Sequence, residues 1–382
     1  MGAIAALQSL STGFWSMFFL RLCLGVAEAS FGPGIPFYLS LFFKREELAR
    51  RTGFFIAAAP LANSLAGGMA WLILQFSSRT NIDGWRLLFL VEGFPNIVLA
   101  VVAWHVIPDS PETIPWLNPR ERNIASMRLQ KIQKQHSASR INLRENSRSH
   151  LDWAKVSSTL KDPKSYLVAA ILFSLNVAFS SLPVFLPTIV ENMGFSPLSA
   201  QGMSAFPNLV AFGVVIVTAS LSDRFESRSV PLMIHALLAM SGYALLAVAP
   251  RMPHLLRYLC LFPMMAGFFS AVTMVIVWTV NNQESDEGKA IGSSILQVFG
   301  HVGSLFGQQL YPDTSAPYYV TSHAICALSM ALAAALTFVL RVLLQSANEK
   351  RLIQGMKVGE DDEPFIPISR REFMSNEFMY IL

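Results

Sequence analysis

An arginine and a glutamate stand seven residues apart in a stretch otherwise greasy enough to cross a membrane. They are Arg21 and Glu28 in FWSMFFLRLCLGVAEASFGPGIPFYLSLFF, residues 14–43. On a helix this spacing is nearly two turns, so both side chains point the same way, about 10 Å apart along the axis. Gly25 and Gly32 continue the stripe, and small residues there either admit a neighbouring helix or leave room for a ligand. An ionised group at bilayer depth costs at least ~2.5–3.5 kcal/mol, so the pair must face a partner or a wet cavity. Two chemistries fit. In one, Arg21 attracts an anion while Glu28 takes up and releases a proton; in the other, both brace helices in a structural network.

A second polar row runs through residues 290–311. Ser293, Gln297, His301, Ser304 and Gln308 follow steps of four and three residues and share one helical face. Such a face lines a cavity or glues helices together, and a histidine within it serves as a hydrogen-bonding group more often than as a proton relay. Asn63, Asn176 and the Trp278/Asn281 pair are further polar candidates for contacting a solute, with a packing role equally open to each. SDRFESR (222–228) sets Asp223, Arg224 and Arg228 between two apolar stretches, where they form either a charge latch or an ordinary solvated turn.

The elements that position these residues follow from composition. The 382 residues are 53% hydrophobic and 14% charged, too apolar for a soluble chain of this length. Stretches of about 20 apolar residues, enough to cross a bilayer, recur at roughly 14–43, 53–76, 86–107, 166–190, 199–221, 230–249, 256–280, 290–311 and 318–344, and residues 1–10 read as the end of another helix. The lipid bilayer is thus the first partner the sequence implies.

Charge sets the orientation. Sorting the links alternately onto two sides gathers 24 of the 29 lysines and arginines on the side of 44–51, 108–164, 222–229, 283–289 and the segment from 341 onward. The positive-inside rule places that side in the cytoplasm. The basic loops are therefore topology signals, and with no aromatic interleaving they do not read as nucleic-acid patches. Cys23, Cys260 and Cys326 fall inside apolar stretches without metal-type spacing and read as packing residues. No Walker loop, HExxH, GxSxG or clustered acidic site occurs, so neither an enzyme nor a cofactor or metal site is expected.

The chain divides at a polar segment. Residues 1–107 read as an incomplete N-terminal helix bundle, 108–164 as a central loop, 165–345 as a C-terminal six-helix bundle and 346–382 as a charged tail. Within the loop, Asn118-Pro119 starts an amphipathic helix through ERNIASMRLQKIQKQ, followed by a Ser/Arg-rich stretch. Three apolar stretches precede the loop and six follow it, although transporters are commonly built from matched repeats.

RLCLGVAEASFGPGIPFYLSLFFKREELARRTGFF resembles the fourth and fifth helices of the major facilitator superfamily, nearest to fungal anion:cation symporters of the allantoate and nicotinate permease type. DGWRLLFLVEGFP (83–95), PDSPETIPWLNPRER, APYYVTSHA (316–324) and the closing SNEFMYIL match further parts of that branch. The resemblance implies an all-α polytopic membrane protein of two rocking bundles, the N-terminal one incomplete, with the first two helices and most of the third without counterpart. It implies Arg21 and Glu28 on the fourth helix where relatives handle anion and proton, and SDRFESR as the second copy of the superfamily's gate. His301 stands where relatives usually carry Asn, Gln308 where many carry Pro, and Ala219 and Glu226 fill gate positions that are Gly in the family. The resulting expectation is a plasma-membrane, proton-coupled symporter of a small organic anion; the alternative is a non-transporting remnant or nutrient sensor of the same fold.

Overall fold

The computed structural model describes residues 1–77, 83–137, 153–180, 182–191, 194, 196–249, 251–316, 318–361 and 379–382. Among them every regular element is helical. The first half carries α1 (Gly2–Gln8), α2 (Phe14–Glu28), α3 (Phe31–Phe42), α4 (Leu48–Ser77) and α5 (Gly84–Val106). The dividing segment carries α6 (Pro119–Ser137) and α7 (Trp153–Lys161). The second half carries α8 (Pro163–Phe179), α9 (Leu182–Glu191), α10 (Pro197–Phe225), α11 (Ser229–Val248), α12 (His254–Leu259), α13 (Leu261–Asn281), α14 (Asp286–Gly307) and α15 (Val320–Asp361). By length and composition, seven stretches among the described residues are apolar enough to cross a membrane: Phe14–Phe42, Gly84–Val106, Gly202–Phe225, Ser229–Val248, His254–Asn281, Asp286–Gly307 and Val320–Ile353.

Two stretches that read as continuous are broken by proline. Pro33 has no N–H to return to the carbonyl of Ala29, and α2 stops at Glu28 with α3 starting at Phe31. Pro183 stands in the same relation to Phe179, the last residue of α8. Three helix starts carry side-chain caps. Asp162, Ser196 and Ser285 each accept a backbone N–H from the first turn of α8, α10 and α14, and Pro follows the cap in the first two. The expected amphipathic helix in the dividing segment is α6, with the Asn118 N–H held by the Glu121 carboxylate at 2.9 Å. The Ser/Arg-rich stretch after it and residues 362–378 of the charged tail lie outside the described residues.

α13 is the core helix, with eighteen of its twenty-one residues buried. α14 is joined to α8 through a spine of small residues: a Cβ at Gly303 would lie 2.3 Å from the Phe173 carbonyl oxygen and one at Gly307 2.4 Å from that of Val177, so only glycine permits this approach. By contrast α2 and α5 show large apolar side chains outward, Trp15 at 77% and Trp104 at 87% exposure, as expected where the surrounding solvent is lipid. The basic loops gather at one face. There Tyr38 at the end of α3 donates to the Pro108 carbonyl at 2.7 Å, Arg128 of α6 pairs with Glu47 before α4, and Lys155 of α7 reaches Glu287 of α14 at 3.4 Å.

Candidate functional site

Arg21 and Glu28 both lie on α2 and both are exposed. The Arg21 guanidinium rests 5.4 Å from the centroid of the Phe89 ring on α5, a cation–π contact that holds a cation without neutralising it. Among the described residues the pair forms no ion pair with each other. Glu28 closes α2, directly before the break, and Gly32 one turn further on packs against α14: a Cβ there would lie 3.3 Å from the Gln297 amide nitrogen. It is thus α3, at Gly32 four residues after Glu28, that meets the polar row of α14, while Gly25 of α2 has no neighbour within 4 Å of its Cβ position.

In that row Ser293 is buried with its hydroxyl unpartnered, Gln297 is half-buried and His301 is exposed. The glycine spine faces α8, and this row lies about a quarter-turn further round α14. Asn176 sits on the α8 side, where it donates to the Gly300 carbonyl at 3.0 Å and binds the two helices. Asn63 is exposed on α4.

Trp278 and Asn281 lie at the basic-face end of α13, away from the row. Trp278 is 1% exposed and donates its indole N–H to the Ile381 carbonyl at 2.8 Å; Asn281 donates to the Arg45 carbonyl at 3.1 Å, and the Arg45 guanidinium donates back to the Asn281 carbonyl. Through Arg45, Asn281 joins the cluster around SDRFESR. The Asp223 carboxylate at the end of α10 accepts the Arg50 N–H at 2.7 Å and the Ala49 N–H at 3.2 Å, both at the start of α4. A carboxylate on helix N-terminal amides gains from both hydrogen bonds and dipole. Arg228 completes the cluster, reaching Asp223 at 2.7 Å, Ser222 at 2.8 Å and the Arg45 carbonyl at 3.0 Å with its side chain wholly buried. Burial lowers the Arg228 pKa, an effect that Asp223 opposes. Burial likewise lowers that of Arg45 to about 10, with Glu46 opposing the shift and Arg228 adding to it. Beneath the cluster Gly53 of α4 meets Ala219 of α10, where a second Cβ would lie 2.5 Å from the first.

The family model of the Major Facilitator Superfamily matches residues 1–308. The chain belongs to that superfamily. MFS transporter prlL of Fungal sp. (strain NRRL 50135) is 32% identical over 307 residues, covering 80% of this chain and 60% of that protein. The major facilitator-type transporter hxnP of Emericella nidulans is 27% identical, covering 85% and 64%, and a putative tartrate transporter of Agrobacterium vitis is 31% identical, covering 65% and 52%. The chain spans about three fifths of the length of the first two. A solved structure of the proton:xylose symporter XylE bound to 6-bromo-6-deoxy-D-glucose shares the fold at TM-score 0.67 and 16% identity, covering 88% of this chain and 77% of that one.

The chain thus carries two separate constellations, a polar row on α14 beside Gly32 of α3 and a charged cluster at the basic face. Arg224 is exposed, outside the buried Asp223–Arg228 pair. Arg45, Ser222 and the amides of Ala49 and Arg50 were not legible as latch members. The run KREELARR announces charge, but nothing in it announces which backbone groups a distant aspartate will reach.

Proposed function

We infer that this integral membrane protein is a secondary transporter that takes up a small organic anion with a proton by alternating access. The reading rests on one observation above the rest: an arginine and a glutamate on one face of a membrane helix, exposed and not ion-paired with each other among the described residues, with Gly32 of α3, four residues after Glu28, against Gln297 of α14. Arg21 orients the carboxylate of the solute, Glu28 carries the proton, and Gln297 and His301 line the far wall. Asn63, exposed on α4, is the next candidate for the solute's path. Two bundles, 1–107 and 165–345, rock about this site, and the Asp223–Arg228 latch holds the basic face, which is cytoplasmic in this reading, at the plasma membrane. One proton carried with one monovalent anion moves no net charge, so the pH gradient drives the cycle, and one pH unit supplies about 1.4 kcal/mol, roughly ten-fold accumulation. Among relatives, the putative tartrate transporter supports an anionic cargo and the XylE symporter a proton-coupled one.

The test is uptake of labelled carboxylates into proteoliposomes under an imposed pH gradient. Accumulation that follows the gradient is expected, and Glu28→Gln is expected to abolish that dependence while solute exchange persists. Unchanged gradient-driven uptake by Glu28→Gln would count against the proposal.

A further inference from the structure

Residues 379–382 lie across the basic face in a site that reads their backbone. Asn348 of α15 donates its amide to the Tyr380 carbonyl and accepts the Tyr380 N–H, both at 2.9 Å. Asn282, just past α13, makes the same exchange with Ile381 at 3.2 and 2.9 Å, and the Trp278 indole gives Ile381 a second donor. The Met379 carbonyl receives the Arg45 guanidinium at 3.1 Å. That of Leu382 receives the Arg228 N–H at 2.8 Å and the Ser227 hydroxyl at 3.0 Å. All four carbonyls of the segment are thereby satisfied. The Tyr380 ring lies between Lys164 and Arg351, 4.4 and 4.6 Å from its centroid, and both also reach its hydroxyl, at 2.7 and 3.0 Å.

Paired exchanges with the main chain are how a protein holds an extended peptide, with side-chain pockets adding selectivity. Here the donors come from α8, the α10–α11 turn, α13 and α15. One more comes from the other half of the chain, Arg45, whose guanidinium also bonds the Asn281 carbonyl.

We propose that residues 379–382 form a removable clasp, a peptide seated in a backbone-reading site, whose presence keeps the basic face shut and which must leave before that face parts. When the halves separate, Arg45 is carried away from both the Met379 and the Asn281 carbonyl. The clasp therefore adds an acceptor that the shut state alone enjoys, and a ligand that binds one state better shifts the equilibrium toward it. The inference rests on the alternating-access reading above, but its test is independent of any solute.

The test uses the full chain with Thr52→Cys, a near-isosteric change at a buried position beside the Gly53–Ala219 seam. Modification by a membrane-impermeant maleimide is followed from the basic face, with the chain lacking Thr52→Cys as the blank. Deleting 379–382 is expected to speed modification about ten-fold, as a two-state equilibrium shifts, and added Met-Tyr-Ile-Leu peptide is expected to slow it again. The full-length variants Asn282→Ala and Asn348→Ala each remove one paired exchange, are expected to act in the same direction, and decide the matter if the deletion does not fold. Unchanged modification in any folded variant overturns the clasp. Modification that follows the clasp in a protein that accumulates no carboxylate leaves the clasp standing and overturns the anion-uptake reading instead.

Discussion

Arg228 and Asp223 meet at 2.7 Å, the arginine side chain fully buried and the aspartate 13% exposed. Asp223 also holds two amides of α4, so one carboxylate ties the α10–α11 turn to the first half of the chain. Replacing it by Asn keeps the shape but strands a buried cation. Asp223→Asn is expected to cost about 3–5 kcal/mol in the shut state, read as a lower melting temperature in detergent and faster modification of Thr52→Cys from the basic face.

Arg21 makes no structural ion pair with Glu28, so its removal is expected to act on binding and leave folding intact. Arg21→Gln should weaken the anion's apparent affinity about 10- to 100-fold, the worth of one hydrogen bond to a charged group. Counterflow of labelled carboxylate measures the affinity, and an unchanged melting temperature checks the fold. Unaltered affinity would move the anion site elsewhere.

Glu226 ends α10 in the left-handed region, φ 51°, at a gate position that the family resemblance gives to Gly. Side-chain residues pay about 1–2 kcal/mol there, partly offset by the looser unfolded chain of a glycine. Glu226→Gly is expected to raise stability by about 1 kcal/mol, seen as a higher melting temperature.

Gly303→Ala is expected to destabilise by about 1–3 kcal/mol. The added carbon would sit 2.3 Å from a backbone oxygen of α8, which has no flexible end to yield. Thermal unfolding of the purified protein measures it.

How far the sequence carried depends on the kind of physics involved. Apolar length gave the membrane class and most helices, but the caps Asp162, Ser196 and Ser285 start α8, α10 and α14 at Pro163, Pro197 and Asp286, ahead of the apolar stretches expected from 166, 199 and 290. The breaks before α3 and α9 were equally written, in Pro33 and Pro183, but apolar continuity masked them. Arg21 and Glu28 share α2 as their spacing required. The periodic face of α14 was legible too, while its contact at Gly32 was not, because a glycine in a helix names no partner. Trp278 and Asn281 share a face of α13, as read, but depth along a helix is invisible to periodicity, and they lie at its basic end. Ala219 at a gate position becomes intelligible only opposite Gly53, whose bare Cα leaves room for the Ala219 methyl.

The glycine spine between α8 and α14 has a mechanical consequence. Two helices in contact main chain to main chain have no side-chain cushion to compress, so they travel as one rod. Ser293, Gln297 and His301 then keep their distances to Asn176 of α8 throughout any rocking motion. What varies is the gap between that rod and Gly32, and a solute held there would feel the stroke as a single wall approaching or receding.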